Sequence, residues 1–278
     1  MATRGLQRFV RLSFLPQFEA RYAANCKVCH RKHTHYEYSI GLVDAGKTRY
    51  SNKKETFKIE GKTVVFVNPN EVHSCYPTNS SWTYRMLYIN AEWFRGFVSQ
   101  SFEDKNAPVK FEIPCSTDSR LYKKVSKIFD IMTSGLSEAE IEGRILILLE
   151  SVIAYNGLFG NSRIASPRRK EIHDFNRIVA YIKEHCKEPI TLSDLQGLTG
   201  LSKFHFLRCF KDEIGETPHA LQTGFKINIA RNLIKSGAPL ARIALECGFS
   251  DQAHMQRFFK QYLAVTPRTY GRGSAVNH

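Results

Sequence analysis

The sequence has no long apolar segment. Its longest uninterrupted apolar run is Ile145–Leu149, which Glu150 ends, whereas a membrane-spanning helix needs ~20 such residues. The first residues also lack the apolar centre of a signal peptide, because Arg4, Arg8 and Arg11 interrupt it. We therefore expect a cytoplasmic protein with no membrane partner.

Cysteines and acidic residues are also few. The seven cysteines are odd in number and scattered, which favours reduced thiols over a disulfide framework. Only 26 acidic residues balance 40 basic ones, and the formal net charge of +14 indicates an anionic partner, either nucleic acid or a membrane surface. The hydrophobic share of 42% excludes a disordered chain.

The part of the chain from residue 35 to residue 90 has the pattern of short β-strands. Apolar and polar residues alternate from Tyr36 to Leu42, residues 63–67 form an apolar run, and Trp82 to Ile89 follow the strand pattern again. Turn residues separate these segments, with a hairpin predicted at Glu60-Gly61. We predict a β-sandwich or small barrel within residues 1–115.

From residue 118 the apolar period changes to 3.6, which predicts two amphipathic helices within residues 116–160. Two apolar stripes carry this prediction, namely Leu121, Val125, Ile128, Phe129 and Met132, then Ile141, Ile145, Leu148, Leu149 and Val152. Such stripes form either the core of a domain or the seam of a homodimer. Residues 161–170 are small, polar and basic, and we interpret them as an interdomain linker.

The last part of the chain, residues 171–278, contains an internal duplication. The segment LSDL at 192–195 recurs as LARI at 240–243, 48 positions later, and GLS at 200–202 recurs as GFS at 248–250. Each copy has the order of a helix-turn-helix: a short helix, a glycine turn and a serine that caps a second helix. A longer helix over 219–235 would join the copies, so that two recognition helices enter successive major grooves ~34 Å apart.

These residues resemble a known family. The segments ITLSDLQGLTGLSKFHFLRCFKDEIGETP and ARNLIKSGAPLARIALECGFSDQAHMQRFFKQYLAVTPRTY look like the DNA-binding domain of AraC/XylS-type transcription regulators. The segments HTHYEYSIGLVDAG and NPNEVHSCYP are similar to the cupin-like sensor domain of that family. The resemblance implies an α+β fold of two domains, with a cupin-like β-barrel and a helix pair followed by an all-α domain.

For function, the resemblance implies a sequence-specific regulator that binds double-stranded promoter DNA as a homodimer. A small-molecule effector in the barrel and RNA polymerase would be its further partners. Two other classes remain open. One is a metal-dependent cupin enzyme fused to a DNA-binding domain, and the other is an architectural binder without sequence preference.

The predicted DNA contacts share a place on a recognition helix, since residues at i, i+3 and i+4 project into the groove. In the first motif they are Lys203, Phe204, His205, Leu207 and Arg208, and in the second Gln252, Ala253, His254, Gln256 and Arg257. Arginine can pair with guanine and glutamine with adenine. The alternative for Arg208 and Arg257 is a solvated helix face.

A polar effector pocket is predicted from strand parity, which places alternate residues on one face. The set consists of His33, His35, Glu37 and Ser39, joined by His73 and Tyr84. His33-Thr34-His35 and the segment ending at His73 also resemble the cupin metal motifs. However, Ser39 and Ile40 stand where the metal-binding glutamate is expected, so we favour an effector pocket. The alternative is a group of barrel histidines without a ligand.

Two further motifs match only in their letters. Residues 41–48, GLVDAGKT, spell a phosphate-binding loop, but no helix pattern follows and a hairpin turn is the better interpretation. Cys26, Cys29 and His30 spell a haem attachment sequence, which belongs to exported proteins. Zinc held by His33, His35 and His73, or by Cys26 and Cys29, is a minor alternative, and we expect no cofactor.

Overall fold

The computed structural model describes residues 6–27, 30–52, 55–78, 81–101, 109–156, 175–201, 203–272 and 274–275, and within these the side chains of 30, 31, 203–205 and 274–275 are outside the description. The strands are β1 (Leu6–Arg11), β2 (Phe18–Cys26), β3 (His30–His33), β4 (Tyr38–Ala45), β5 (Lys47–Asn52), β6 (Glu55–Glu60), β7 (Thr63–Val67), β8 (His73–Pro77), β9 (Trp82–Ile89), β10 (Cys115–Ser116) and β11 (Ser274–Ala275). The helices are α1 (Ala91–Ser101), α2 (Ser119–Ile131), α3 (Glu138–Asn156), α4 (Phe175–Glu184), α5 (Leu192–Gly197), α6 (Lys203–Ile214), α7 (Pro218–Lys235), α8 (Leu240–Glu246), α9 (Gln252–Leu263) and α10 (Pro267–Gly271).

The N-terminal domain consists of two sheets that share a core. One sheet has the strand order β10-β7-β4-β9-β2-β1-β11 and the other β3-β8-β5-β6. Side chains alternate along β7, so that Val65 and Val67 pack toward the second sheet while Val64 and Phe66 pack toward α1, α2 and α3. The larger sheet is therefore buried on both faces, which explains why β4 and β7 are almost wholly apolar.

Both hairpins predicted in this domain were wrong. At Gly46, where φ is +88°, the chain leaves β4 in the larger sheet and enters β5 in the smaller one. A side chain there would place its Cβ 2.5 Å from the carbonyl oxygen of Ser81, so glycine is required at this corner. Strand β6 likewise pairs with β5, and β7 with β4. A tight turn in sequence does not tell a hairpin from a change of sheet.

The helix pair predicted within residues 116–160 is present as α2 and α3. Asp118 caps α2 by accepting the N–H groups of Arg120 and Leu121. The two apolar stripes pack in the core of the N-terminal domain, where Leu148 is partly buried and the other members are buried. The outer face of α3 instead exposes Ile147, at 68%, and Tyr155, at 40%.

Helix α1 was not predicted from the sequence. It begins after Asn90, whose side-chain oxygen accepts the N–H of Trp93 at 2.9 Å. This is an N-cap arrangement, and the helical spacing of the apolar residues Trp93, Phe94, Phe97 and Val98 was a further local signal.

The C-terminal domain has two helical cores joined by α7. Leu221 and Phe225 of α7 pack with the first helix-turn-helix, and Ile227, Ala230 and Ile234 pack with the second. The described part of this domain is all-α apart from β11, which pairs in parallel with β1. The predicted linker, residues 161–170, lies outside the described residues, and the predicted domain boundaries stay predictions. Within the described ranges, no helix has the length and apolarity needed to cross a membrane.

Candidate DNA-binding surface and interdomain cavity

The second helix-turn-helix is built from α8, a turn at Gly248 and α9. Gly248 has φ +74°, and a Cβ on it would lie 2.0 Å from the main-chain oxygen of Lys187. Only glycine fits this close approach. Asp251 then caps α9, because its Oδ1 accepts the N–H of His254 at 2.7 Å.

Helix α9 has one buried face and one polar exposed face. Met255, Phe259 and Leu263 are buried in the core. Among the predicted DNA contacts, Gln252, Ala253 and Arg257 are exposed, and Gln256 is half-buried. This helix therefore presents an amide and a guanidinium to solvent, as base readout requires.

His254 is also partly buried, and it packs within the turn. Its ring contacts the rings of Phe249 and Phe258, and its Nδ1 lies 2.9 Å from the hydroxyl of Ser250. These contacts give His254 a structural role in the start of α9.

The first helix-turn-helix, formed by α5 and α6, differs from the second. Arg208 is exposed on α6, as predicted for a DNA contact. Leu207 instead is half-buried, packs against the first helical core and lines an apolar groove with Ile182 and Leu195. Leu207 thus packs partly against the core and stays partly exposed, and its DNA contact stays a prediction. Lys203, Phe204 and His205 belong to α6, but their side chains lie outside the described ones.

A cluster of charged side chains joins the two domains. At its centre Glu19 of β2, buried to 3% exposure, lies 2.7 Å from Arg11, 3.3 Å from Arg231 and 2.9 Å from Lys235. Tyr270 of α10 donates its hydroxyl to the same carboxylate at 3.0 Å. Burial by itself raises the pKa of Glu19, but Lys235, Arg231 and Arg11 outweigh it and lower the pKa to about 2.

Glu37 belongs to this interdomain contact, which corrects its predicted place in the effector pocket. Its Oε2 accepts a hydrogen bond from Nη1 of Arg231 at 3.1 Å. The chain bends at residues 36–37 between β3 and β4, so the strand parity that grouped Glu37 with the histidines does not continue through it. Nearby, Asn228 of α7 donates to the main-chain oxygen of Thr34 at 3.2 Å.

A small cavity lies beside the cluster, between the sheets and the C-terminal domain. Four of the six predicted effector residues line it: His33, His35, His73 and Tyr84. Ser39 is fully buried behind them, with its hydroxyl 3.4 Å from Nε2 of His35. The opposite wall comes from α7 and α9 and includes Ile227, Asn228, Arg231, Tyr262 and Leu263.

Burial favours the neutral state of two of the cavity histidines, His35 and His73. Burial lowers the pKa of His35 well below its usual value, and the neighbouring His73 and Arg231 lower it further. Burial also lowers the pKa of His73. The Nδ1–H groups of His35 and His73 donate to the main-chain oxygens of Glu37 and Glu71, at 3.0 Å and 2.9 Å, which leaves each Nε2 as an acceptor.

The three rings lie close together, with the centroid of His33 4.2 Å from that of His73. The described part of the chain nevertheless contains no group of three or more His, Cys, Asp or Glu side chains arranged to hold a metal ion. Of the proposed cysteine ligands, Cys26 is buried beside Gln7, and Cys29 lies outside the described residues.

Sequence reasoning missed the charged residues that join the domains. Glu19 and Arg21 stand at alternate positions of β2, within an otherwise apolar strand, and this was the available signal of a buried polar role. Their partners in the C-terminal domain are more than 200 positions away in sequence, as the separations of 212 between Glu19 and Arg231 and of 242 between Arg21 and Leu263 show. No local pattern connects them.

Two family models match the chain. One, an AraC-like ligand binding domain, matches residues 16–149, and the other, a helix-turn-helix domain, matches residues 197–273. Together with the two exposed recognition helices, they define a DNA-binding transcription regulator with an N-terminal ligand-binding domain. The chain belongs to the AraC family of such regulators.

Similar proteins agree with this assignment. An uncharacterised helix-turn-helix regulator of Bacillus subtilis, YbfI, is 27% identical over 225 residues, which cover 80% of each chain. The transcriptional activator RhaS of an Enterobacter species is 22% identical and covers 87% of each chain. Among solved structures, ToxT of Vibrio cholerae with a bound unsaturated fatty acid has a TM-score of 0.57 at 16% identity, covering 99% of this chain and 98% of that one. This likeness shows that the whole two-domain fold is shared.

Proposed function

We propose that the protein binds promoter DNA as a homodimer and regulates transcription in the cytoplasm in response to a small molecule held in the interdomain cavity. RNA polymerase is the further partner. The observation that carries the proposal is the arrangement of α9, whose apolar face is buried while Gln252, Ala253 and Arg257 are exposed beyond a glycine turn.

The DNA contact is tested by selecting operators from random duplexes with the full chain. Arg257→Ala should relax the preference at one base position, because a bidentate pair to guanine contributes ~1–3 kcal/mol of discrimination. Lys260 is exposed one turn further along α9. Lys260→Ala should weaken binding to all sequences alike and reduce the slope of log affinity against log salt concentration by about one.

Arg49→Ala is the matched control, since Arg49 is exposed on β5 in the other domain. This variant should leave the base preference and the salt dependence of DNA binding unchanged. Equal losses on every sequence for Arg257→Ala and Lys260→Ala would demote Arg257 to a phosphate contact. Equal binding of random and selected duplexes would favour an architectural binder.

For the homodimer, the supporting observation is the exposed outer face of α3, with Ile147 68% and Tyr155 40% exposed. Ile147→Glu should shift the sedimentation coefficient of the full chain toward that of a monomer. Leu245→Glu, equally exposed at 69% on α8, is the control and should sediment like the unchanged protein. A dimer that survives Ile147→Glu would place the seam elsewhere.

We further propose that the chain has no catalytic role and no resident cofactor. Support comes from its relatives, which are regulators. The metal-dependent cupin enzyme remains the second candidate. Stoichiometric divalent metal in the purified protein, lost on His73→Ala, would favour that candidate.

A further inference from the structure

Arg21 of β2 is a buried cation without a countercharge in the described part of the chain. Its side chain is 1% exposed, and none of the ion pairs found among the described residues includes it. Its Nη2 donates to two neutral acceptors, the amide oxygen of Gln7 at 2.6 Å and the main-chain oxygen of Leu263 at 2.8 Å. Its Nε has no hydrogen-bond partner within the described ranges. Because arginine stays protonated in proteins, this is an uncompensated buried charge.

Arg231 lies on the opposite wall of the same cavity, and its positive charge, unlike that of Arg21, is paired with carboxylates. It is 2% exposed, and its two terminal nitrogens contact carboxylates of Glu19 and Glu37. Arg11 and Lys235 share Glu19 with it. The carboxylates of Glu19, which is buried, and of Glu37, which is half-buried, are therefore already paired, and neither forms an ion pair with Arg21.

The rest of the cavity wall around Arg21 is mainly apolar and aromatic. Trp82, Met86 and Tyr88 come from β9, and Ile227 and Leu263 from the C-terminal domain. The guanidinium of Arg21 lies 5.4 Å from the ring centre of Tyr84. The wall thus offers one unpaired positive charge among surfaces that favour an apolar ligand body.

We propose that this cavity binds a monoanionic organic effector, a carboxylate on an apolar or aromatic body, whose carboxylate pairs with Arg21. The assignment rests on the proposed function and specifies its effector class. A single negative charge neutralises the one uncompensated guanidinium, and the planar fork of arginine matches a carboxylate.

Effector binding must also part the two domains. The cavity measures about 30 Å³, room for one or two water molecules, whereas ligand pockets measure ~300–1,000 Å³. The proposed parting moves the walls formed by α7 and α9 away from the sheets and breaks polar contacts such as those of Asn228 with Thr34 and of Arg231 with Glu37. The carboxylate competes with the oxygen of Leu263 for Arg21, so the ligand favours the parted state and shifts the population toward it.

The test measures ligand binding to the full chain by thermal shift and calorimetry. The probes are straight-chain acids from acetate to dodecanoate and aryl acids from phenylacetate to phenylbutyrate. Each acid is compared with its uncharged primary amide. At least one acid should bind and its amide should not. Arg21→Gln should lower the affinity for that acid by roughly tenfold to a hundredfold. The Arg49→Gln variant, changed at an exposed residue of β5, should bind the acid like the unchanged protein.

If Arg21→Gln does not yield folded protein, Arg21→Lys replaces it. That variant keeps the charge, so it should still prefer the acid to the amide, with weaker affinity. The assignment is overturned if no acid binds, if amides bind as well as acids, or if loss of the Arg21 charge changes nothing.

Solution scattering tests the coupling, because the bound acid should raise the radius of gyration of the full chain. An unchanged radius at saturation would overturn the parting of the domains. Operator binding is titrated separately without acid. If the protein binds an acid but no operator, the proposed function is refuted. If it binds an operator but no acid, only the effector assignment is refuted.

Discussion

Glu19→Gln should release the DNA-binding domain from the sensor domain. Glu19 is the shared carboxylate of Arg11, Arg231 and Lys235, and the substitution removes its charge while nearly keeping its shape. Three cations then remain around a neutral amide, and breaking a buried pair in this way leaves charges without compensation.

The magnitude follows from the pKa of Glu19, which is lowered from an ordinary value of 4.5 to about 2. At about 1.4 kcal/mol for each pH unit, this amounts to about 3 kcal/mol in favour of the carboxylate. The two largest attractive contributions come from Lys235 and Arg231, both on α7 of the C-terminal domain. Most of this free energy is therefore lost when the domains part, and the ratio of docked to parted molecules should fall roughly a hundredfold.

The assay combines solution scattering with hydrogen exchange of the full chain. A single compact body of 278 residues has a radius of gyration of about 19 Å, and Glu19→Gln should raise it. Amide protection should fall in β2 and α7 together while that of β7 stays unchanged.

The matched control is Glu60→Gln, because Glu60 pairs with Lys47 at 2.8 Å with 64% of its side chain exposed. Exposed pairs contribute ~0–1 kcal/mol, so the control should behave like the unchanged protein. Identical scattering and exchange for Glu19→Gln and Glu60→Gln would refute the reasoning that Glu19 holds the domains together.

Three other predictions concern stability and pH. Gly248→Ala should cost about 3 kcal/mol or more in urea unfolding, whereas Gly200→Ala, at φ +68° with nothing within 4 Å, should cost about 1 kcal/mol; equal losses would contradict the collision. The contribution of Glu19 to docking is fully present above its ordinary pKa of 4.5 and is lost as pH falls through about 2, so scattering at pH 5 should match that at pH 7, and expansion already at pH 5 would contradict it. Asn156→Ala removes the acceptor of two main-chain N–H groups and should lower the free energy of unfolding by ~2–4 kcal/mol. Asn232→Ala, at an exposed residue, should cause no measurable loss.

The helical parts of the fold were the most predictable from sequence, since their signals are local. The 3.6-residue stripes located α2 and α3, and the duplication located both helix-turn-helix units before any contact was known. The strand pattern of residues 35–90 located β4, β7 and β9, whereas β1 and β2 were not predicted and strand partners were not found. The turn at Gly46 shows why, because a glycine with positive φ serves a hairpin and a change of sheet equally well.

The candidate site was likewise predictable where local patterns determine it and not where tertiary contacts do. His33, His35, His73 and Tyr84 were grouped correctly because short strands bring them to one cavity. Glu37 was misplaced by a bend that interrupts strand parity, whereas the DNA contact of Leu207 stays a prediction, because its half-buried side chain packs partly against the first helical core.

The sequence by itself determined that this protein has a strand-rich half, a helix pair and two recognition units, because periodicity and duplication are properties of neighbouring residues. Only the tertiary structure decided how the halves meet. It places Glu19 against Arg231 across 212 positions and leaves Arg21 buried with no carboxylate partner among the described residues. Burial and charge compensation are set by atoms that come together only in the folded chain.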